Sequence, residues 1–419
     1  MNTTKSFEIS KQVVWEAYER VKVNKGAAGV DDESIAQFER HLKRNLYKVW
    51  NRMSSGSYLA PPVKHVEIPK KSGGKRILGV PTVSDRIAQM VVKLYMEPLV
   101  EPQFHPDSYG YRLKRSAKAA VAVTRKRCWQ YDWVVEFDIK GAFDNIDHRL
   151  LMKAVNHYVK ERWMLLYIER WLTAPFETVE GELIPREKGT PQGGVISPLL
   201  MNLFMHYAFD KWIERTYPHC PFARYADDAV VHCHNKAEAE QLLNAISNRL
   251  QTCLLTMHPD KSRVVYCKDS NRRLDYSQTQ FTFLGFTFKP RVAVSRSGKK
   301  FTSFLPAVSV EAMKSMRQTI KGWTLNRQTF ANLEQLACQY NSVLRGWWNF
   351  YGCFYKTEMR KLYDYLNRRL VTWARRKYRK LKCHKQRSFQ WLSRIAKRQP
   401  CLFFHWQMCR NNDWIMGAV

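Results

Sequence analysis

Residues 222–231 read FARYADDAVV, and the rest of the sequence is best understood from this stretch. Aromatic and β-branched residues favour strands, whereas Ala-Asp-Asp at the centre is typical of a hairpin turn. Two adjacent carboxylates repel each other and are costly to bury unless a cation neutralises them. The pattern therefore predicts a hairpin that presents Asp227 and Asp228 to Mg²⁺, a hard ion that prefers oxygen ligands. An acidic turn in solvent is the alternative interpretation.

A third carboxylate follows a second strand pattern. Residues 133–138 (WVVEFD) are an apolar run that ends on Asp138, and a strand that ends in this way can deliver an acid to a cleft. Residues 189–198 (GTPQGGVISP) predict a glycine-rich loop that allows close backbone approach to a ligand. Ser197 is the expected N-cap of a helix that runs from this loop to about residue 217.

A basic hairpin is predicted ahead of these motifs. Residues 63–80 alternate in two runs around a tip, KKSGGKR, that carries four cations. Because cations on a tight hairpin can converge on one polyanion, we interpret the tip as a phosphate clamp. The other predicted elements are helices at 7–23, 33–53, 84–96 (N-cap Ser84, ended by Pro98), 116–127 and 237–255, a strand at 281–288, and helices from about residue 305.

Composition indicates a polyanionic partner. The 419 residues include 69 Lys and Arg against 37 Asp and Glu, a net charge of +32, and such an excess is typical of nucleic-acid-binding proteins. No apolar run of about 18 residues is long enough to span a membrane, and the N-terminus lacks the pattern of a signal peptide. We therefore expect a cytoplasmic protein of two or three domains with no membrane partner.

The ten cysteines do not form a disulfide framework, because they are scattered and no C-x-x-C pair occurs. Reduced thiols in a reducing compartment are expected. Cys401, His405 and Cys409 share a helical spacing that could hold a metal, although a structural site needs a fourth ligand. Neighbouring aromatic residues favour a packed helix at that place instead.

The C-terminal part is the most basic. From residue 371 to residue 419 there are twelve Lys or Arg against one acid, Asp413, and aromatic residues are interleaved with the cations. That combination suits phosphate contacts with base stacking and indicates RNA binding. A solvated charged face is the alternative.

The three acids, combined with the basic hairpin and the glycine loop, suggest one chemistry. Asp138 on one element and Asp227 with Asp228 on another could hold two Mg²⁺ ions. Two such ions activate a hydroxyl and stabilise a leaving oxygen in phosphoryl transfer. The motifs in this order predict a nucleotidyl transferase.

The blocks FDIKGAFDNI (137–146), TPQGGVISPLL (190–200) and YADD (225–228) resemble successive blocks of a reverse transcriptase. NKGAAGVD (24–31) and the region from LRGW (344–347) to WARRK (373–377) resemble bacterial group II intron-encoded proteins. Together they cover nearly the whole chain. The resemblance implies a right-hand polymerase of mixed α/β class (α+β), with fingers and an antiparallel palm sheet packed on helices.

What the family implies can be placed on matching positions. Asp138, Asp227 and Asp228 would bind two Mg²⁺ ions, with Mn²⁺ as a substitute, beside the Ile139 carbonyl. Phe143 would be the aromatic gate beneath the sugar that excludes a 2′-hydroxyl. The residues expected around the incoming dNTP are Lys70, Lys75, Arg76, Ala142, Phe143, Gln192 and Lys261. Those expected to bind nucleic acid are Arg345, Arg375, Arg376, Lys377, Arg379 and Lys380.

The implied domains are an N-terminal extension (1–60), fingers and palm (61–300), a helical thumb or maturase domain (301–375) and a basic nucleic-acid-binding region (376–419). The implied partners are an RNA template, a group II intron RNA, a DNA primer or target and dNTPs. The chain resembles the compact class without a C-terminal endonuclease. The activity expected is RNA-directed DNA synthesis with help to intron splicing and retrohoming. The alternatives are a splicing cofactor or RNA chaperone with little polymerase activity, and a domesticated enzyme of DNA repair or phage defence.

Overall fold

The chain divides into two compact units in a computed structural model that describes residues 6–69, 74–295 and 297–408. The first unit comprises Met1–Ala120 and Trp133–Val264, and the second Val121–Asp132 and Val265–Val419. Lys70, in the predicted phosphate clamp, and Cys409 lie outside the described residues. The finer domain boundaries at residues 60, 300 and 375 stay predictions.

The first part of the chain mixes helices with short strands. Its helices are α1 Lys11–Val23, α2 Ile35–Glu39, α3 Leu42–Ser54, α4 Val83–Val100, α5 Ala117–Arg127, α6 Ala142–Asn145, α7 His148–Tyr158, α8 Arg162–Thr173, α9 Ser197–Met205, α10 Lys211–Thr216 and α11 Lys236–Thr252. Its strands are β1 Val63–Pro69, β2 Lys75–Val80, β3 Trp133–Asp138, β4 Phe176–Glu177, β5 Leu183–Ile184, β6 Phe222–Tyr225, β7 Asp228–Cys233 and β8 Arg263–Tyr266.

A four-stranded sheet in the order β6-β7-β3-β8, which we call the central sheet, has its strands β6, β7 and β3 in the first unit. The first five residues of β3 and the last five of β7 are buried, because helices cover the sheet and apolar side chains leave water. Helix α11 packs on β3 and β7. Its buried Leu242, Ile246 and Leu250 recur every four residues along one face, and each contributes about 1.5–3 kcal/mol through burial.

A second sheet, in the order β2-β1-β4-β5, contains the basic hairpin. Strands β1 and β2 are antiparallel, and Pro69 lies opposite Lys75 at the end nearer the tip. The predicted hairpin is therefore confirmed. Its base is joined to β4 by a short parallel pairing that begins at Val63 and Phe176.

Three predicted helices begin or continue differently from the expectation. Ile196, not Ser197, is the N-cap residue of α9, and no side chain caps that helix. Thr82, not Ser84, caps α4, because the Thr82 side chain accepts the Asp85 N–H, and Pro98 lies inside that helix. The helix predicted for residues 33–53 is interrupted at Arg40 and His41, which separate α2 from α3. In the latter two regions the apolar spacing is correct and the position of the cap decides where the helix begins.

The second unit begins with a three-stranded antiparallel sheet. Its strands are β9 Phe281–Phe283, β10 Phe286–Val294 and β11 Lys300–Val308, and its helices are α12 Val310–Gly322, α13 Leu333–Tyr351, α14 Lys356–Lys377, α15 Lys385–Arg398 and α16 Phe404–Met408. The single strand predicted at 281–288 is instead a hairpin. Leu284 and Gly285 form its turn, both with positive φ, the backbone of a type I′ turn.

The helices of the second unit enclose a separate aromatic core. Trp373 is fully buried, and its Nε1 donates to the Gln328 carbonyl at 2.9 Å. His405 is also fully buried, 2.9 Å from Asn367 Oδ1, and burial lowers its pKa to about 3. This packing favours the aromatic helix over a metal site near Cys401. Among the described residues, no helix combines the length and the apolar character that a membrane span requires.

Candidate active site

A two-residue turn carries the acidic pair. Tyr225 at the end of β6 pairs with Asp228 at the start of β7, so only Ala226 and Asp227 lie between the strands. Ala226 has φ 59°, and Asp227 has a negative φ. A positive φ at the first central residue alone is the pattern of a type II′ turn, in which glycine is the usual residue. Alanine in such a sparsely populated backbone conformation costs about 1–3 kcal/mol, so the surroundings must hold the turn in place.

The antiparallel pairing of β3 with β7 brings the third acid to the turn. Asp138, the last residue of β3, lies directly opposite Asp228. Burial raises the pKa of Asp227, and the charge of Asp138 raises it further. The three predicted acids therefore gather at one end of the central sheet.

Lys261 provides the positive charge at this end of the sheet. Its Nζ lies 2.5 Å from Asp138 Oδ2. The hydrogen bond to Asp138 raises the pKa of Lys261, burial opposes the shift, and the charges of Asp138, Asp227 and Asp228 add to it. Three carboxylates thus act on a single ammonium group, and this arrangement fits a site for divalent cations.

Asp138 is turned toward Lys261 in this structure. The oxygens of Asp138 and of the other two acids do not all lie within 4.8 Å of one another. Among the described residues, one other group of three metal-ligating side chains does meet that distance. The donor set suits a hard divalent ion because all three side chains offer carboxylate oxygens. A divalent ion bound there would compete with Lys261 for the Asp138 carboxylate.

The fully buried Arg224 forms hydrogen bonds with the backbone of the turn and with residues beneath it. Arg224 donates to both oxygens of Asp210 at 2.6 and 2.7 Å, to Asn202 Oδ1 at 3.2 Å and to Ser108 Oγ at 2.9 Å. It also donates to the carbonyl of Ala226 at 2.9 Å. Arg224 and Asp210 have no exposed side-chain surface. The fork of a guanidinium is rigid, so the ion pair fixes the backbone of the turn.

Two local features of the backbone accommodate the Arg224–Asp210 ion pair and the turn above it. His206–Asp210 is a π-helical turn between α9 and α10, a distortion that is frequent at functional sites, and it contains the Asp210 that meets Arg224. Gly110 lies against the turn, where an added Cβ would be 2.5 Å from the Ala226 nitrogen. Asn202 joins the two features, since its Nδ2 donates to the Gly110 carbonyl at 2.6 Å.

The glycine-rich loop lies beside Phe143. Thr190 N–H donates to the Phe143 carbonyl at 2.7 Å, and Gly79 N–H donates to the Gln192 carbonyl at 2.8 Å. Gly193 has φ 118°, and an added Cβ would lie 2.5 Å from the Gly79 carbonyl oxygen. The loop therefore connects the residues after Asp138 with the basic hairpin, and only glycine allows that approach.

Gln192 is the side chain that this loop presents. Its Oε1 accepts a hydrogen bond from Arg76 Nε, and its Nε2 lies 3.3 Å from both carboxylate oxygens of Asp144. Lys75 instead forms an ion pair with Glu67. Among the described cations of the predicted phosphate clamp, Arg76 is therefore the one that contacts the loop.

The buried carboxyl group of Asp85 is connected to the glycine-rich loop by a chain of hydrogen bonds. Asp85 Oδ1 accepts from Tyr58 and Trp171, and its Oδ2 accepts from Gln89 Nε2 at 2.9 Å. Gln89 Oε1 in turn accepts the N–H of Val195 at 2.8 Å. Burial raises the pKa of Asp85 to about 6, while these hydrogen bonds lower it. The network joins the N-terminal part of the unit to the glycine loop.

We predict that Asp85→Asn alters how stability depends on pH. The folded-state pKa of Asp85 lies above its ordinary value of 3.8, so its contribution is complete below that value and is lost as the pH rises through about 6. Relative to the variant, the wild-type free energy of unfolding falls by about 1 kcal/mol between about pH 5 and about pH 7. Urea denaturation of both chains measures this, and identical pH dependence would contradict it.

The structure also shows where the other predicted residues lie. Ala142 and Phe143 are buried at the start of α6. Ile139 forms an isolated antiparallel bridge with Met257, and Asp138 accepts the His258 N–H at 2.8 Å through its carbonyl. The roles assigned to these residues stay predictions.

Several residues of this site were not foreseen. Tyr111 lies with its ring centroid 6.0 Å from that of Tyr225. Burial and the charge of Asp227 raise the pKa of Tyr111, and Arg76 lowers it, so its hydroxyl lies near both the turn and the basic hairpin. No periodic pattern marks Tyr111. Arg224 did carry a signal, because a lone cation in an apolar strand needs a buried partner.

The cations predicted to bind nucleic acid fall into two groups. Arg375 Nε donates to the Lys382 carbonyl at 3.1 Å, and Lys377 Nζ donates to two carbonyls, of Thr329 and Ala331. These two hold the end of α14 in place. The exposed members are Arg345, Arg376, Arg379 and Lys380. They are the ones available to a polyanion.

Residues 68–288, more than half of the chain, match the family described as reverse transcriptase (RNA-dependent DNA polymerase). Residues 313–391 match the group II intron, maturase-specific domain. Group II intron-encoded protein LtrA from Lactococcus lactis subsp. cremoris is 34% identical over 204 residues, 48% of this chain and 33% of LtrA. Protein YkfC from Escherichia coli is 31% identical over 288 residues, 59% of this chain and 74% of YkfC.

The first unit combines helices with an antiparallel pairing of β6, β7 and β3, which is consistent with the right-hand polymerase fold. The chain belongs to the reverse transcriptase family and carries a group II intron maturase domain. Members of this family use divalent metal ions. The chain spans about a third of the length of LtrA. The predicted fold class and family are confirmed.

Proposed function

We propose that this protein is an RNA-directed DNA polymerase that extends the 3′-hydroxyl of a primer with dNTPs and assists splicing of a group II intron RNA. The observation that carries the proposal is the pairing of Asp138 with Asp228 beside Asp227. These three residues would hold two Mg²⁺ ions, or Mn²⁺ in their place. When bound, such ions activate the attacking hydroxyl and stabilise the leaving oxygen.

The protein's own residues orient the reactants. Arg76 and Gln192 touch each other at the edge of the glycine loop, so a triphosphate that displaces their contact meets a guanidinium and an amide together. Lys261 forms an ion pair with Asp138, and this contact raises the pKa of Lys261. Arg224 holds the Ala226 carbonyl, and the turn therefore presents Asp227 in one geometry.

Primer extension tests the proposal. The intact chain is incubated with poly(rA), oligo(dT), dTTP and Mg²⁺, and we expect labelled DNA that disappears with EDTA and returns with excess Mg²⁺ or Mn²⁺. RNA binding is measured in parallel. Binding without any extension would overturn the polymerase assignment and leave the alternative of a splicing cofactor.

Phe143→Ala is predicted to weaken the exclusion of ribonucleotides. The Phe143 ring is 7% exposed, and its removal opens space for a 2′-hydroxyl. We expect the ratio of kcat/KM for dNTP to that for rNTP to fall about 10- to 100-fold. The ratio does not depend on the folded fraction, which matters because removing a buried ring costs about 3–5 kcal/mol.

Phe143→Leu is the matched control for this measurement. Leucine keeps most of the bulk, and selectivity should stay near that of the wild type. An unchanged ratio in Phe143→Ala would remove the gate role from this residue.

RNA binding is predicted to depend steeply on salt, because bound phosphates release counterions. The double variant Arg376→Gln and Arg379→Gln removes two exposed cations at the end of α14. We expect the slope of log affinity against log salt to decrease by about 1.5. Lys153→Gln with Lys160→Gln, two exposed cations of the first unit, is the charge-matched control. Equal slopes for the two double variants would place the RNA elsewhere.

A further inference from the structure

A cluster of metal-ligating side chains lies at the end of the β6–β7 hairpin that is away from the Asp227 turn. His219, Cys220 and Glu238 each place one ligand atom within 4.8 Å of the other two, and they are the only such group of three in the described parts of the chain. His219 and Cys220 precede β6, and Glu238 lies in the first turn of α11. Cys220 is 2% exposed.

A second thiol adjoins this group. Cys233 is the last residue of β7 and is fully buried. His232 N–H donates to the Pro221 carbonyl at 2.9 Å, so the hairpin pairing continues and brings Cys233 opposite Cys220. A hydrogen bond with Cys220, followed by burial, raises the pKa of the Cys233 thiol. Directly opposite residues of an antiparallel pair have Cβ atoms about 4.5–5.5 Å apart, so the two thiols are neighbours.

Glu238 is held in place before any ligand arrives. Asn235 caps α11 by accepting the Glu238 N–H at 2.9 Å. Glu238 Oε2 accepts the His234 N–H at 2.8 Å, and Oε1 lies 2.7 Å from His219 Nε2. Backbone and cap thus orient the carboxylate toward the imidazole and the thiols, which lowers the cost of ordering the site.

We propose that His219, Cys220, Cys233 and Glu238 bind a Zn²⁺ ion. Two thiols, an imidazole and a carboxylate form a mixed set that suits zinc, whereas Mg²⁺ takes oxygen ligands. A tetrahedral zinc ion with bonds of about 2.0–2.3 Å keeps its ligand atoms roughly 3.3–3.8 Å apart. The ligand atoms of His219, Cys220 and Glu238 already lie within 4.8 Å of one another and need shifts of about 1 Å. Cys233 is outside that group, so its sulfur atom must move further to complete the set.

Zinc binding exchanges the protons of the two thiols for the metal ion. Cys220 and Cys233 each lose a thiol proton to solvent and bind as thiolates, and His219 binds through a neutral ring nitrogen. The oxidation state of the metal and of the sulfur atoms does not change.

This site is separate from the catalytic acids. Cys233 and Asp228 are five residues apart at opposite ends of β7, and strand geometry puts them about 17 Å apart. The ion connects the segment before β6, the end of β7 and the first turn of α11. It therefore fastens the base of the hairpin whose other end carries Asp227.

Zinc content of the intact chain tests the proposal. The protein is purified with reductant, supplied with ZnCl₂, desalted and analysed by inductively coupled plasma mass spectrometry. We expect about one zinc per chain in the wild type and about tenfold less in Cys220→Ser. Cys338→Ser, which changes an exposed cysteine of α13, is the control and should keep its zinc. With Co²⁺ in place of zinc, the wild type should show a thiolate-to-cobalt charge-transfer band that Cys220→Ser lacks.

His219→Ala keeps the test decisive if the cysteine variants fail to fold. The His219 side chain is 56% exposed, so its removal leaves the core intact, and we expect zinc affinity to fall about 10- to 100-fold in chelator competition. Unchanged affinity in that variant, no stoichiometric zinc in the wild type, or a Cys220–Cys233 disulfide that persists in the presence of zinc would each overturn the proposal.

Discussion

Asp228→Asn is expected to abolish DNA synthesis while RNA binding persists. The substitution removes one of three carboxylates that act together on a single cation, and the loss of metal-based charge stabilisation corresponds to several kcal/mol. The rate of nucleotide addition should therefore fall about 10³-fold or more. Single-turnover extension of a primer on an RNA template measures this rate directly.

Asp260→Asn is the matched control. Its side chain is 89% exposed and lies one residue from Lys261, so it tests the same chemical change beside the site without removing a ligand. Activity near that of the wild type is expected. Retained synthesis by Asp228→Asn would overturn the assignment of this acid.

Removing Arg224 is expected to separate stability from catalysis. Arg224→Met leaves the Asp210 carboxylate buried without its guanidinium, which costs about 3–5 kcal/mol. Replacing both, as Arg224→Met with Asp210→Leu, exchanges a buried ion pair for apolar groups and should restore much of that stability. The Ala226 carbonyl still lacks its donor in the double variant. We therefore expect nucleotide addition to stay about 10- to 100-fold slow.

Thermal unfolding and single-turnover rates of the two variants measure the two effects. The affinity for dNTP should change little, since Arg224 is fully buried beneath the turn. A stable double variant with the wild-type rate would show that the ion pair only supports the fold.

The sequence predicted the elements that carry the acids because strand patterns and turns are local. Strand β3 ends on Asp138, and the hairpin turn contains Asp227 where the pattern placed it. The pairing of Asp138 with Asp228 is not local, and no strand pattern predicts it. The roles of these residues stay predictions.

What could not be predicted depends on contacts between distant segments. The helix expected to run to about residue 217 is broken by the π-helical turn His206–Asp210, and apolar spacing does not reveal such a turn. The structural role of this turn follows from the ion pair that Asp210 forms with Arg224 in the folded chain. In the same way, Asp85 follows the cap of α4, and no local pattern connects it with Val195 of the glycine loop.

The alternation at residues 281–288 misled for a different reason. Buried Phe281 and Phe283 alternate with a polar residue on one side of Leu284 and Gly285, and buried Phe286 and Phe288 do so on the other. Each half therefore fits a strand, but Phe283 and Phe286 are three residues apart, which breaks the alternation. A two-residue turn accounts for that break, and the positive φ of both turn residues is typical of such a turn.

The most direct measurement of the central claim is cDNA synthesis on an RNA of defined, mixed sequence. The intact chain is given this template, an annealed DNA primer, four dNTPs and Mg²⁺, and the products are sequenced. DNA complementary to the template is expected from the wild type, and none from Asp228→Asn at equal RNA occupancy. Wild-type protein that binds the primed RNA and yields no complementary DNA would contradict it.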